Sequence, residues 1–346
     1  MRPVDVLTID GRMGEGGGQV LRSALSLAVA LGRPVRITHV RGGRKKPGLL
    51  RQHLAALRAA CAISGGVAEG GELGSSEVVL RPRQVRGGKF EFGIGSAGST
   101  TLVLQTVLPP LLLAEGPSTL ALEGGTHNPM APPFEFLAHT YVPQLAKTGA
   151  EIELELLRPG FHPAGGGLVR ARVSPLARPR PFELVERGVP RGQHCEIGLA
   201  HLPAGIAERE WEALRRRLGW EPQQRIDRDV SQSTGPGNTL SVHLEFEHVT
   251  EVLTAFGERG VSAEGIAERV ARAARIYLES QAPVGEHLAD QLMIPLALLA
   301  GGRYRTLAPS RHTLTNAEVV NLFLPGAVRI EELGPDDWIV AVKGRL

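Results

Sequence analysis

The residues whose types and spacing could do chemistry begin with His312, in the stretch Pro309-Ser-Arg-His-Thr-Leu-Thr-Asn316. Hydroxyls at Thr313 and Thr315 follow it, then the apolar pattern Ala317, Val319, Val320, Leu322 and Phe323 of a helix. Asn316 reads as the N-cap of that helix, with His312 in the loop ahead of its positive end. A neutral imidazole there could attack a phosphorus held by the helix end and by backbone N–H groups. The chain has eleven histidines, and a solvated or core-satisfied ring is their ordinary fate, so His312 gains weight only from its company.

That company starts in Gly14-Glu-Gly-Gly-Gly-Gln19. Glycine-rich backbone can approach a phosphate closely, and the Glu15 carboxylate could hold a divalent cation beside it, with Arg22 one helical turn further on. The spacing matches neither a dinucleotide fingerprint nor a Walker loop, and a flexible turn is the plain alternative. Next, Arg41, Arg44, Lys45, Lys46, Arg51 and His53 crowd a second glycine-containing loop, with Gln52 among them. This is the densest positive feature of the chain; phosphate contact is its functional reading and a solvated basic loop its bland one.

The elements that must position these groups come in a recurring order. A strand at 4–9, the glycine loop, a helix carrying Leu21, Leu25 and Leu31, a strand at 35–39, the basic loop, a helix at 49–64 and strands at 67–73 and 77–81 form one unit. The order repeats with a strand at 89–94, a helix from 101 carrying Gln105, a strand at 118–123, a loop ending at Pro132 and Pro133, a helix at 134–148 and strands at 151–157 and 168–173. Roughly 90 residues separate the units, which points to internal duplication. A third copy starts at 181–187 and resumes with a helix at 289–300, a strand at 304–307, the His312 loop, a helix from 317 and strands at 328–333 and 338–342. Residues 188–281 read as an inserted small α/β domain, with strands at 194–199, 223–229 and 240–246 and helices at 206–218 and 262–278. The large domain is thus residues 1–187 and 282–346. Because each copy carries its unusual polar residues at strand-to-helix loops on one side of a sheet, Glu15, Arg22, Arg41, Arg44, Gln52, His53, Gln105 and His312 are expected in one cleft.

Composition narrows the class. With 346 residues and 42% hydrophobic content the chain can bury more than one core. Lys plus Arg at 39 against Asp plus Glu at 36 leaves +3, too little to name a partner. Two cysteines, Cys61 and Cys195, make no metal-ligand spacing and point to a reduced, cytoplasmic protein. Asp5 and Asp10 interrupt the first apolar run, unlike a signal peptide, and no apolar run approaches membrane-spanning length.

Asp10-Gly11 with Gly14-Glu-Gly-Gly-Gly-Gln-Val-Leu-Arg22-Ser, Arg41-Gly-Gly-Arg44, Gly124-Gly-Thr-His-Asn-Pro, Ala289-Asp-Gln291 and His312-Thr-Leu-Thr-Asn316 together resemble the RNA 3′-terminal phosphate cyclases. The likeness spans essentially the whole chain. It implies an α/β (α+β) fold of three βαβαββ repeats, like the C-terminal domain of a translation initiation factor, with a small thioredoxin-like insert. It also implies a ligase that uses ATP to make a histidine–AMP intermediate and then a 2′,3′-cyclic phosphate on RNA. By that resemblance His312 is the nucleophile and Glu15 the ligand of Mg²⁺ or Mn²⁺. Arg22, Arg41, Arg44, Gln52 and His53 match groups on phosphates and the RNA terminus. Gln105, Pro132, Asp290 and Gln291 match groups on ATP, and His287 stands where an aromatic stacking on adenine is expected. RNA 3′-phosphate ends and ATP are the implied partners, with a homodimer left open. The alternative is a non-catalytic, RNA-binding ribosome-assembly relative of the same fold, against which His312 in its full motif argues.

Overall fold

The computed structural model describes residues 6–346. Its first strand is β1 (Leu7–Asp10), so residues 4 and 5 of the strand expected at 4–9 lie outside the described residues. The apolar stripe of α1 (Gly18–Leu31) is buried as far as Val29, and the helix stops at Gly32, whose left-handed backbone closes it by donating to the Ala28 and Val29 carbonyls. After it come β2 (Val35–Thr38), α2 (Arg51–Ser64), β3 (Val67–Glu69) and β4 (Val78–Arg81). The strand order is β1-β2-β4-β3, with β1 and β2 parallel and the other pairs antiparallel.

The same order and pairing return in β5 (Gly88–Gly93), α3 (Thr100–Leu111), β6 (Ser118–Gly124), a helical run, β7 (Ile152–Arg158) and β8 (Gly167–Val173), with the sheet order β5-β6-β8-β7. They return again in β9 (Phe182–Leu184), α8 (Glu286–Leu298), β14 (Gly301–Thr306), α9 (Arg311–Phe323), β15 (Val328–Gly334) and β16 (Asp337–Lys343), ordered β15-β16-β14-β9. In each case a helix crosses between the two parallel strands, as the parallel pairing requires. The helical run of the second unit was expected as one helix at 134–148. It is instead α4 (Phe134–Phe136), a π-helical segment Leu137–Tyr141 and α5 (Val142–Lys147). Pro143 has no N–H to donate into the preceding turn, and the widened turn accommodates the missing bond.

Helices α1, α2, α3, α8 and α9 pack on one another, and residues from all three units form one apolar core from Ile9 to Val342. Each fully buried leucine in it, such as Leu25, Leu104 and Leu292, contributes about 1.5–3 kcal/mol of transfer free energy. A second core is built from Cys195 to Tyr277 alone. It belongs to β10 (Pro190–Ala200), α6 (Gly205–Leu218), β11 (Arg225–Arg228), β12 (Gly237–Phe246), β13 (Thr250–Phe256) and α7 (Ala263–Glu279), with the sheet order β11-β10-β12-β13. β13 has no counterpart in the sequence reading. Its carboxylate Glu251 is buried at 1% exposure and interrupts the apolar pattern by which a strand is recognised. Arg187 fastens the two crossings between the cores, donating to the Tyr277 and Ala282 carbonyls and to Ser280 Oγ while stacking 4.1 Å from the centre of the Tyr277 ring. Among the described residues, no helix is long and apolar enough to cross a membrane.

Candidate active site

The helices that share the main core bring their N-terminal ends to one cavity of about 1180 Å³. Lining it are all twelve residues singled out by sequence: Glu15, Arg22, Arg41, Arg44, Gln52, His53, Gln105, Pro132, His287, Asp290, Gln291 and His312. Eight of the twelve stand on helices, and His312, expected in a loop, is one of them. Gln52 and His53 open α2, His287 to Gln291 open α8, and His312 is the second residue of α9. The N-cap of α9 is therefore Ser310, whose Oγ accepts from the Thr313 N–H at 3.2 Å, and not Asn316. Pro309 ahead of Ser310 stops any earlier turn, whereas Thr315 and Asn316 face inward and brace other helices. Five helix N-termini facing one space make it electropositive beyond its arginines.

His312 is exposed to the cavity, and its Nδ1 lies 2.8 Å from Gln19 Oε1. The other end of that amide is committed, since Gln19 Nε2 donates to Asp290 Oδ2 at 2.5 Å. An ionised Asp290 can only accept, so in that state the amide oxygen faces His312, Nδ1 carries the proton, and the lone pair is left on Nε2. Burial pushes the His312 pKa below its ordinary value; Glu15 pulls the other way, and the cations Arg22 and Arg44 reinforce the drop. The ring is thus neutral at pH 7. Asn316 locks the arrangement by donating to the Asp290 carbonyl at 2.5 Å and accepting from Ser23 Oγ at 2.6 Å, which joins α9, α8 and α1.

Glu15 sits at the start of α1, its side chain only 6% exposed, in an ion pair with Arg44. Its carboxylate also accepts from the Gln19 N–H at 3.4 Å, and its own N–H donates to Thr315 Oγ1 at 2.9 Å. The glycine run is a consequence of this crowding. Gly14 has a φ of +55°, and a Cβ there would enter the Thr315 side chain; one on Gly17 would meet Glu15 and Arg44, and one on Gly18 would meet His53 and Arg22. Burial lowers the Arg22 pKa to about 10 despite Glu15 and Asp290, which leaves it cationic. Burial first, then Arg22 and Arg41, push His53 down to about 3, so its ring is a neutral hydrogen-bonding group. Burial raises Asp290 to about 7, with Arg22 opposing. Arg41 is partly structural: its guanidinium donates to the Lys46 and Gly48 carbonyls at 2.6 and 2.9 Å and shapes the basic loop. Gln105 donates to Gln291, which ties α3 to α8.

Sequence reasoning missed two parts of this site. Gln19 was quoted within the glycine motif without a role; its signal is an amide at the start of a helix stripe that is otherwise apolar. The insert supplies part of the wall through Val252 to Phe256, Glu258 and Arg269, and that contribution had no sequence signal because β13 itself was not seen.

Residues 13–330 match the family model described as RNA 3′-terminal phosphate cyclase. A protein of Koribacter versatilis (strain Ellin345) named RNA 3′-terminal phosphate cyclase is 46% identical over 329 residues, covering 95% of this chain and 93% of that protein. Among solved structures, the enolpyruvyl transferase NikO from Streptomyces tendae aligns over 98% of this chain and 48% of its own length, about half, with a TM-score of 0.39 and 12% identity. A likeness that distant carries no argument here.

Proposed function

This chain belongs to the RNA 3′-terminal phosphate cyclase family, and from that premise we propose that it converts RNA 3′-phosphate ends to 2′,3′-cyclic phosphates at the expense of ATP, through a covalent histidine–AMP intermediate on His312. The observation that carries the reading is the His312 ring, neutral and open to a cavity lined by Arg22, Arg44 and Glu15, with its proton held on Nδ1 by Gln19.

His312 Nε2 attacks the α-phosphorus of ATP, and the bond to pyrophosphate breaks. An oxygen of the RNA 3′-phosphate then attacks the same phosphorus and the P–N bond breaks, which moves AMP to the RNA end. Finally the neighbouring 2′-oxygen attacks the terminal phosphorus of the RNA and AMP leaves; the nucleophile is already adjacent, so proximity supplies much of the rate. Arg22, Arg41 and Arg44 offset charge on the phosphates, with Gln52 and His53 as neutral donors beside them. Gln105, Gln291, Pro132 and His287 take the nucleoside. Asp290 is given a different part from the one the resemblance implied: it orients Gln19 and so selects the His312 tautomer.

The hard carboxylate oxygens of Glu15, next to the phosphate-binding arginines, fit Mg²⁺ or Mn²⁺ held jointly with phosphate oxygens. Such an ion would neutralise charge as pyrophosphate departs. Arg44 must release Glu15 for this, and its partial exposure lets it swing toward a phosphate instead. The free thiols Cys61 and Cys195 support a cytoplasmic location, and sedimentation decides between monomer and homodimer. The division into residues 1–187 with 282–346 and an insert at 188–281 belongs to the same proposal, supported by the insert's own core, while its Val249 and Val252 also pack into the main one.

Incubation with α-labelled ATP and Mg²⁺ or Mn²⁺ should give acid-labile, alkali-stable label on the wild type and none on His312→Ala, and an oligonucleotide ending in a 3′-phosphate should be cyclised. An RNA-binding wild type that takes no label would instead be a non-catalytic assembly relative.

A further inference from the structure

Away from the cavity, the insert's sheet gathers a second polar cluster. His194 and Glu196 are two residues apart on β10, so their side chains leave the same face. Register sets His194 directly opposite His243 of β12, which brings that ring to the same face, and Glu245 follows two residues on. The two imidazoles stack 13° from parallel with centroids 4.5 Å apart. One ligand atom each from His194, Glu196 and His243 lie within 4.8 Å of one another. His194 Nε2 is 3.5 Å from Glu196 Oε1, and His243 Nε2 is 3.6 Å from Glu196 Oε2. Around an ion with bonds of about 2.0–2.1 Å, the edge of a tetrahedron is roughly 3.4 Å.

Ion pairing alone leaves this cluster incomplete. His243 is 2% exposed, yet its Nε2 has no hydrogen-bond partner and faces a carboxylate oxygen of Glu196, itself 4% exposed. One electrophile between that ring nitrogen and the carboxylate oxygen it faces would satisfy both buried groups. Arg228 holds Glu196 Oε1 and leaves Oε2 turned to His243. On the far side of His194, Nδ1 lies 3.3 Å from Glu245 Oε1, the outer carboxylate that a metal-bound imidazole commonly uses. The exposed ring of His139, from the π-helical segment, stands edge-on to His243 at 5.5 Å and closes the cleft, with room for a water as fourth ligand.

We infer that His194, Glu196 and His243 form a binding site for a first-row transition-metal dication, with Zn²⁺ the best match to two imidazoles and one carboxylate. The nitrogen donors separate this site from Glu15, whose lone carboxylate suits a hard ion.

Tag-free full-length protein titrated with Zn²⁺ in a calorimeter tests it. The wild type shows a tight site that Glu15→Gln retains; His243→Ala weakens it by roughly 100-fold or more, and Glu245→Gln by about 10- to 100-fold. Co²⁺ in its place gives the visible absorption of a low-coordinate site, lost in His243→Ala. Circular dichroism checks each variant's fold, and Glu245→Gln, which keeps both rings, stands in if the alanine variant does not fold. Absence of Zn²⁺ binding by the wild type, or equal binding by the wild type, His243→Ala and Glu245→Gln, overturns the assignment.

Discussion

Replacing Gln19 with leucine isolates the step that the geometry assigns to it. The side chain keeps its volume and loses both hydrogen bonds, to His312 Nδ1 at 2.8 Å and to Asp290 Oδ2 at 2.5 Å. The bond to His312 is between neutral partners, and its net worth is about 0.5–1.5 kcal/mol. All of that energy favours the tautomer whose Nε2 lone pair attacks, because the opposite tautomer sets two acceptors face to face. Its loss should change the ratio of reactive to unreactive tautomer by about 2- to 13-fold, and so lower the reactive population and the single-turnover rate of labelling by α-labelled ATP. ATP affinity should stay within about threefold, since the amide is spent on protein partners. Stopped-time labelling at saturating ATP, with affinity measured separately on His312→Ala and on the double variant, separates the two effects. A labelling rate unchanged within error, or a loss carried wholly by ATP affinity, would refute the tautomer argument.

The other expectations concern charge. Burial lowers the His312 pKa, so the acid limb that this ring sets in the labelling profile should have its midpoint below pH 6.5. Arg44→Ala removes a cation that depresses this value and frees the Glu15 carboxylate that raises it, so the acid limb of the rate profile should move to higher pH; a limb that stays or moves down contradicts the assigned electrostatics. Burial raises Glu251 from 4.5 to about 8, against the Gly285 backbone and Arg187, and its Oε2 has no partner. The fold therefore binds a proton that the unfolded chain has released, and this stabilising preference, present in full below pH 4.5, is lost as pH rises toward 8, by up to about 5 kcal/mol. Glu251→Gln should accordingly match the wild type near pH 4 and exceed it in denaturant midpoint at pH 8, and an equal gain at both pH values would sink that reasoning.

What was legible in the sequence is what periodicity and punctuation encode. Strand, turn and amphipathic helix recur three times, and the twelve candidate site residues reached the cavity, whereas Lys45, Lys46 and Arg51 of the basic loop did not. Boundaries set by a competing cap were not legible. Ser310 and Asn316 both suit an N-cap, and only packing decides between them, because Asn316 has buried partners on α1 and α8 that satisfy its amide without the helix terminus. β13 was hidden for a related reason. A strand bearing a buried, half-satisfied glutamate breaks the apolar alternation by which half-buried strands are recognised.

The glycine run shows why function and fold share one constraint here. Read as sequence, it promises a flexible cradle for phosphate. In the structure the space beside Gly14, Gly17 and Gly18 is filled by Thr315, Glu15, Arg44, His53 and Arg22, so the missing side chains make room for protein groups. Those groups come from the first and third units, and the backbone at residue 15 is itself hydrogen-bonded to the helix that bears His312. Side chains in that run would push α1 away from α9, and with it Gln19 from His312. The loop's composition is therefore set by how closely two repeats must approach for one amide to hold one imidazole, and a ligand's phosphates meet a surface that this approach has already arranged.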